Sequence, residues 1–303
     1  MTHPTTTPTH CTDTPPTTPA APFEQLAAQF DAFHAARTRT DLVARLYSAA
    51  MGEDYPHEVA DSSSCDWPLL GLMAARLRMR RGQLLVDAGC GTGGIGLWLA
   101  RALAARLAGF DISAVAVAQA TARRPRFIAP ADRAAFHVAR LDATGLPDGC
   151  AHGIVCVDAF SIAPDRDGAM RELGRVLAPG GRLVMTRALR RGAVPAWEKQ
   201  ARAVGLTVEH VDERPAEPEM WERLYRLWTG HAEDLRRELG DVQARNMLRE
   251  AHKMLPALPG RRAVLLTLRR PPQSPAAFGP AGTMTGPVRP SDDGSESSER
   301  TPQ

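Results

Sequence analysis

Residues 84–100 read LLVDAGCGTGGIGLWLA. The apolar run QLLVDAG ends in Asp87 and Gly89, as a strand buried on both faces does. GCGTGGIG follows, and glycines are needed where a backbone turns sharply and a ligand must approach it closely. IGLWLARALAARLA is then apolar nearly all round, as a helix packed on a sheet is. The free N–H groups and dipole at the start of such a helix favour an anion. The glycines fit G-x-G-x-x-G in two registers, Gly89/Gly91/Gly94 and Gly91/Gly93/Gly96. By itself the loop is also compatible with a tight turn that holds nothing.

Outward from this point the same alternation repeats. LAGFDIS reads as a strand, AVAVAQATARR as a helix, AAFHVARLDATGL as a strand with its loop and HGIVCVDAF as a strand. DRDGAMRELGRVLAPGG reads as a helix closed by Pro and Gly, RLVMTRAL as a strand, VPAWEKQARAVGL as a helix and TVEHVDE as extended chain. Strands that alternate with helices build a parallel sheet with helices on both faces. The alternation breaks after Arg214: 215–260 is mostly helical, with Trp221, Leu224, Tyr225, Leu227 and Trp228 as its apolar stripe. RRAVLLTLRR, 261–270, supplies a last strand. The fold class is therefore α/β, a Rossmann-like, seven-stranded, mostly parallel sheet. Its core spans 82–214, and a long helical insertion, of the kind that is usually functional, precedes the last strand.

Upstream, apolar residues recur at helical spacing at Phe23, Leu26, Ala27, Phe30 and Phe33, and again at Leu42, Val43, Leu46 and Tyr47. Two helices, the polar segment EDYPHEVADSSSCDWP and a third helix from Leu69 thus form an N-terminal helical lid over 23–81. The Thr/Pro-rich stretch 1–22 and the Pro/Ser/Gly-rich stretch 271–303 cannot bury enough apolar surface to offset their ordering entropy, so both read as disordered tails.

Composition removes several function classes. No run of about 18 apolar residues spans a membrane, and no basic segment followed by an apolar run marks a secretory leader. The five cysteines form no C-x-x-C pair and show no metal-ligand spacing, which points to reduced thiols in the cytoplasm and to no metal. The net charge is +3, but 35 of the 37 basic residues are Arg, a genome-composition skew, and 34 acidic residues offset them. The densest basic cluster, Arg76 to Arg81, suits a helix C-terminus. A nucleic-acid partner is not expected.

Four strands end in aspartate on one edge of the sheet: Asp87, Asp111, Asp142 and Asp158. Open α/β sheets bind ligands at that edge. Asp111 lies where a carboxylate accepts from both hydroxyls of a ribose, and either it or Ser113 also suits a helix N-cap. These stretches, with GFDIS, LDATGLPDGCAHGIVCVDAF and LGRVLAPGGRLVMT in order and spacing, resemble class I S-adenosylmethionine-dependent methyltransferases. The likeness is greatest to small-molecule enzymes of the ubiquinone-biosynthesis type and to actinobacterial enzymes of secondary metabolism.

The resemblance implies S-adenosyl-L-methionine as cofactor. Asp87, with the loop of Gly89, Cys90, Gly91 and Gly93, would hold its methionine end. Asp111 would take the ribose hydroxyls and Ile112 would pack against adenine, with Asp142 and the backbone of Ala143 accepting from and flanking the base. Asp158 and Phe160 would flank the sulfonium, where a small-molecule acceptor arrives. Methyl transfer by in-line displacement asks for alignment and dryness more than for a strong catalyst. Where a base is needed, His57, Glu58, His210 and Asp158 qualify by position, and His57 and Asp158 are the two selected. Tyr55, Ser62 and Ser63 would close over the cofactor, and Trp67, Phe160 and the 215–260 insertion would line an apolar acceptor chamber. Two alternatives stand beside this reading. One is an NAD(P)-dependent oxidoreductase, against which Asp87 would crowd a pyrophosphate; the other is a non-catalytic homologue that keeps the cofactor site.

Overall fold

The computed structural model describes residues 22–272. The tails read as disordered, 1–22 and 271–303, lie outside those residues apart from Pro22, Pro271 and Pro272.

Seven strands form one sheet: β1 Leu84–Ala88, β2 Arg106–Asp111, β3 Ala134–Val138, β4 Ala151–Cys156, β5 Leu177–Leu189, β6 Thr207–Glu213 and β7 Arg262–Arg269. Their order is β3-β2-β1-β4-β5-β7-β6. The pairs from β3 to β5 are parallel, and β7 is antiparallel to both β5 and β6. A Rossmann-like, mostly parallel sheet is thus what the alternation builds. The reversal of β7 is an adjacency effect. The chain leaves β6 at Glu213 and returns to the neighbouring position, where the Arg214 amide donates to Ala263 O at 2.8 Å.

Side chains that alternate along each strand divide the interior into two layers. Leu85, Val155, Val184 and Leu265 pack with α3 Trp67–Leu77 and α4 Gly94–Ala102 on one face. Val86, Ile154, Leu183 and Leu266 pack with α6 Arg166–Val176 and α7 Trp197–Arg202 on the other. The helix α5 Ala114–Phe127 follows β2, with the Ser113 hydroxyl accepting from the Ala116 amide as its N-cap. A third core lies off the sheet. It joins α2 Leu42–Met51 to α8 Glu217–Gly230, α9 Ala232–Leu239 and α10 Asp241–Met254, with Tyr47, Leu224, Tyr225, Trp228 and Met247 at its centre. Ahead of α2, α1 Pro22–Arg37 contributes only Ala36 to that core.

Two boundaries differ from the sequence expectation. The helix α4 ends at Ala102, because Ala104 adopts a left-handed φ of 50° and the apolar run continues as β2. The helix α6 ends at Val176 rather than running through APGG; from Leu177 the chain joins β5, across a register shift against β4.

Candidate functional site

At the C-terminal edge of β1, β2 and β4 the glycine loop is held rigid by the strand beside it. The amides of Gly89 and Cys90 both donate to Phe110 O at 2.9 Å. Gly89 has φ +76°, and a Cβ there would lie 2.4 Å from that of Ala159, so the loop passes the end of β4 with no room for a side chain. At Gly91 a Cβ would meet nothing closer than 3.8 Å, where Asp61 Oδ1 and His34 Cε1 stand, so this backbone faces open space.

Asp111 is 8% exposed and fully oriented: Oδ1 accepts from the Ser113 amide and Oδ2 from the Gly91 amide, each at 2.9 Å. Burial raises its pKa, and these amides, which favour the charged form, oppose the rise. Each carboxylate oxygen keeps a second lone pair for a hydroxyl donor. Asp142 also faces the cavity and is forked by Arg140, Nε to Oδ1 at 2.8 Å and Nη2 to Oδ2 at 2.6 Å, which lowers its pKa. Arg140 in turn lies 3.6 Å over the Phe23 ring.

Asp87 sits differently from the expectation. It is 3% exposed and points under the loop, where Oδ2 accepts from the Gly96 amide at 3.0 Å. A Cβ on Gly96 would come within 2.4 Å of that oxygen, which is why the third glycine is needed. Burial above all, then the charge of Asp61, pushes the Asp87 carboxyl up to about 8, against the pull of the Gly96 amide. The Gly96 amide at the start of α4 is therefore already taken by a carboxyl oxygen of the chain's own, in the place a pyrophosphate would need.

These residues open onto a cavity of about 440 Å³. Gly89, Gly91, Asp111, Ile112, Asp142 and Asp158 line it from the sheet side, and Phe23, Leu26, Phe30 and Phe33 of α1 close it from above. Asp61, Ser62 and Ser63 complete the wall. Three contacts pin α1 in place: Phe23 on Arg140, Asp31 accepting from the Ser113 hydroxyl at 2.6 Å, and His34 O accepting from Gln119. Arg123 ties the loop to the segment before Asp61, reaching Thr92 Oγ1 at 2.9 Å and Val59 O at 2.6 Å.

The remaining expected site residues lie elsewhere. Trp67 is 38% exposed at the start of α3 and meets Trp98 edge to face, away from the cavity. Phe160 is buried in the sheet core beneath Arg187. The insertion 215–260 contributes none of the lining residues; it packs behind α2 instead. His57 is exposed and meets Tyr55 edge to face, Glu58 pairs with Arg101, and His210 lies on β6; none of these lines the cavity. Cys90, Gly93 and Ala143 also lie outside the lining: Cys90 and Gly93 are buried behind the loop, and Ala143 is turned outward. Asp158 reaches the cavity with its carboxylate engaged, accepting from the Ser64 amide at 2.7 Å and the Thr186 hydroxyl at 2.9 Å. Sequence reasoning found the α1 stripe but not its target, and it missed His34, Arg37 and Asp61. Their signal was there: His34 and Arg37 follow Phe30 and Phe33 at helical spacing.

Residues 86–185 match the family model described as a methyltransferase domain. The chain carries a class I S-adenosylmethionine-dependent methyltransferase domain. Methyltransferase GfsG of Streptomyces halstedii is 34% identical over 152 residues, which cover 46% of this chain and 52% of the relative. The 27-O-demethylrifamycin SV methyltransferase of Amycolatopsis mediterranei is 30% identical over 150 residues, 48% of this chain and 55% of the relative. The chain thus spans about half the length of the curated relatives it matches. The crystal structure of the [4+2]-cyclase SpnF shares the fold, with a TM-score of 0.65 at 22% identity over 84% of this chain and 98% of its own. Solved methyltransferases of the same fold hold S-adenosylmethionine or S-adenosylhomocysteine. This cofactor fits the donor set here, with paired acceptors for a ribose at Asp111 and open backbone at Gly91. The oxidoreductase alternative is not favoured by the match, nor by Asp87 at the start of α4. Among the described residues no helix is long and apolar enough to cross a membrane, and no group of three or more His, Cys, Asp or Glu is placed to hold a metal.

Proposed function

We propose that this protein transfers a methyl group from S-adenosylmethionine to a small-molecule acceptor, a secondary metabolite, in the cytoplasm. The observation that carries the reading is Asp111: a buried carboxylate at a cavity wall, oriented by two amides, with acceptor capacity left over. The two curated relatives, both actinobacterial methyltransferases, support the acceptor class. The described cysteines, all free, suit a reducing compartment.

When bound, the cofactor supplies an activated methyl on a sulfonium, and the chain's task is placement. Asp111 accepts from the ribose hydroxyls, Ile112 packs against the base and Asp142, held by Arg140, faces its edge. Gly89 and Gly91 present backbone to the methionine end, while Asp87 stiffens their turn from behind. The α1 face and residues 61–63 act as a lid that excludes water and fixes the acceptor's approach, the main source of rate in a displacement of this kind. Asp158 positions the lid loop through Ser64, and the N-terminal helices and the insertion together form the cap.

Thermal melting of the full chain tests this. Saturating S-adenosylhomocysteine raises the melting temperature, by about 2.7 kcal/mol of stabilisation at a hundredfold excess over Kd, and NADH does not. Asp111→Ala lowers affinity for the nucleoside at least about tenfold, consistent with two lost charge-assisted hydrogen bonds. A shift with NADH alone, or an Asp111→Ala variant of unchanged affinity, would refute the assignment.

A further inference from the structure

The cavity has two unlike halves. The sheet side is polar, with Gly91, Asp111 and Asp142, and the outer wall is apolar, with Phe30, Phe33, Val43 and Ile162. Set into that apolar wall is a guanidinium, Arg37, on the last turn of α1. It lies flat on Phe33, with Cζ 3.1 Å from the ring centroid. Its Nε is buried and has no hydrogen-bond partner. Arg261 and Arg269 also have a buried Nε without a partner, but neither lines the cavity, whereas the cavity-side Arg140 forks Asp142. A cation removed from water without an acceptor is unfavourable, and an entering anion offsets that cost.

We propose that Arg37 is the oxyanion anchor for the acceptor, so that the molecule methylated here is bulky and apolar and carries a carboxylate or a comparably acidic oxygen. This rests on the methyltransferase reading and adds the chemistry of its substrate. Burial lowers the Arg37 pKa to about 10, and Tyr47, Glu250 and Asp61 pull it back, so the group stays charged at neutral pH. Tyr47 and Glu250 belong to α2 and α10, on the cap side. His34 and Asp61 stand nearest the Gly91 backbone, and both also interact electrostatically with Arg37. What assigns Arg37 to the acceptor half is the apolar wall it is set in, with Phe30, Phe33 and Val43.

Calorimetry on the full chain saturated with S-adenosylhomocysteine tests the anchor with two probes of equal length, dodecanoate and dodecanol. The wild type binds the carboxylate at least about tenfold more tightly than the alcohol, the discrimination one charge-assisted contact provides. Arg37→Met abolishes the difference and leaves affinity for S-adenosylhomocysteine within about threefold, and Arg37→Lys retains part of the difference through its point charge. Equal binding of the two probes by the wild type, or a preference that survives Arg37→Met, overturns the proposal. If Arg37→Met weakens S-adenosylhomocysteine but not 5′-methylthioadenosine, which lacks the amino-acid end, the guanidinium grips the cofactor's own carboxylate and the proposal also fails. Failure of the wild type to bind S-adenosylhomocysteine defeats the methyltransferase reading instead.

Discussion

Across 94 residues of chain, the Ser64 amide donates to Asp158 Oδ2 at 2.7 Å, and the Ser64 hydroxyl donates to Oδ1 at 3.1 Å. On its other side Ser64 accepts from Arg214, at O from Nη2 at 2.6 Å and at Oγ from Nη1 at 3.1 Å. A short loop thus links the end of β4 to the entrance of the insertion. Glu217 completes the linkage beneath Arg214, and burial raises its carboxyl to about 6. Asp158, selected from its place in the sequence as a base, faces the cavity and at the same time organises this loop.

Asp158→Ala removes the acceptor of three side-chain and backbone donors and leaves Ser64, itself fully buried, with an unmet amide. The expected loss is about 2–4 kcal/mol of stability in urea unfolding. Asp158 has a left-handed φ of 55°, so Asp158→Gly should recover about 1 kcal/mol relative to alanine. Equal stability of the two variants would show that the backbone there is unstrained.

Gly89→Ala places a Cβ 2.4 Å from that of Ala159 at a φ of +76°. Both the clash and the backbone region act against it, and a cost of about 1–3 kcal/mol is expected. The loop must shift to accommodate the change, so affinity for S-adenosylhomocysteine falls at least about tenfold. Urea titration and calorimetry on the same preparation separate the two effects.

Two buried groups give stability opposite slopes in pH. Asp87 is held near 8 against an ordinary 3.8, chiefly by burial. Between those values the native chain keeps a proton that the unfolded chain has released, so stability falls as pH rises through the window. Burial, then the charge of Arg37, lowers His34 from 6.5 to about 4. Between those values the unfolded chain binds a proton that the native chain refuses, so stability rises with pH. Urea unfolding at pH 5, 6, 7 and 8 resolves the pair. Asp87→Asn removes the falling component, its difference from wild type changing by up to about 1.4 kcal/mol per pH unit. His34→Gln removes the rising component.

Trp67→Ala should leave S-adenosylhomocysteine affinity unchanged while lowering stability by about 1 kcal/mol, since the ring packs only partly buried on Trp98. A large loss of affinity would return Trp67 to the site.

Strand–helix alternation from Leu84 to Glu213 was enough to read the sheet, because each apolar strand must be covered by the helix that follows it. The glycine turn and the place of Asp111 beside it were equally legible, since a sharp turn and a strand-end carboxylate dictate residue types locally. The acceptor side was not. The apolar stripe of α1 specifies that a face is buried, not whether a core or a cavity covers it, and Phe30 and Phe33 took the place assigned to Trp67 and Phe160. The aromatic residues Trp221, Tyr225 and Trp228 were correctly grouped, but their partner proved to be Tyr47 rather than a ligand. Asp87 reads as a ligand residue in the motif, and its contact with Gly96 appears only once the turn is folded.

The helix α2 shares its core with α8, α9 and α10; Arg223 Nε of α8 donates to Ala50 O at 2.8 Å, and Thr40, just ahead of α2, donates to Glu238 of α9. Val43 and Ala44 of the cavity wall belong to this helix, so during translation their backing waits for the segment around residue 250, whereas the partners that pin α1 lie at 113–140. A nascent chain halted after β6 would hold every partner that pins α1 but none of the helices that brace α2.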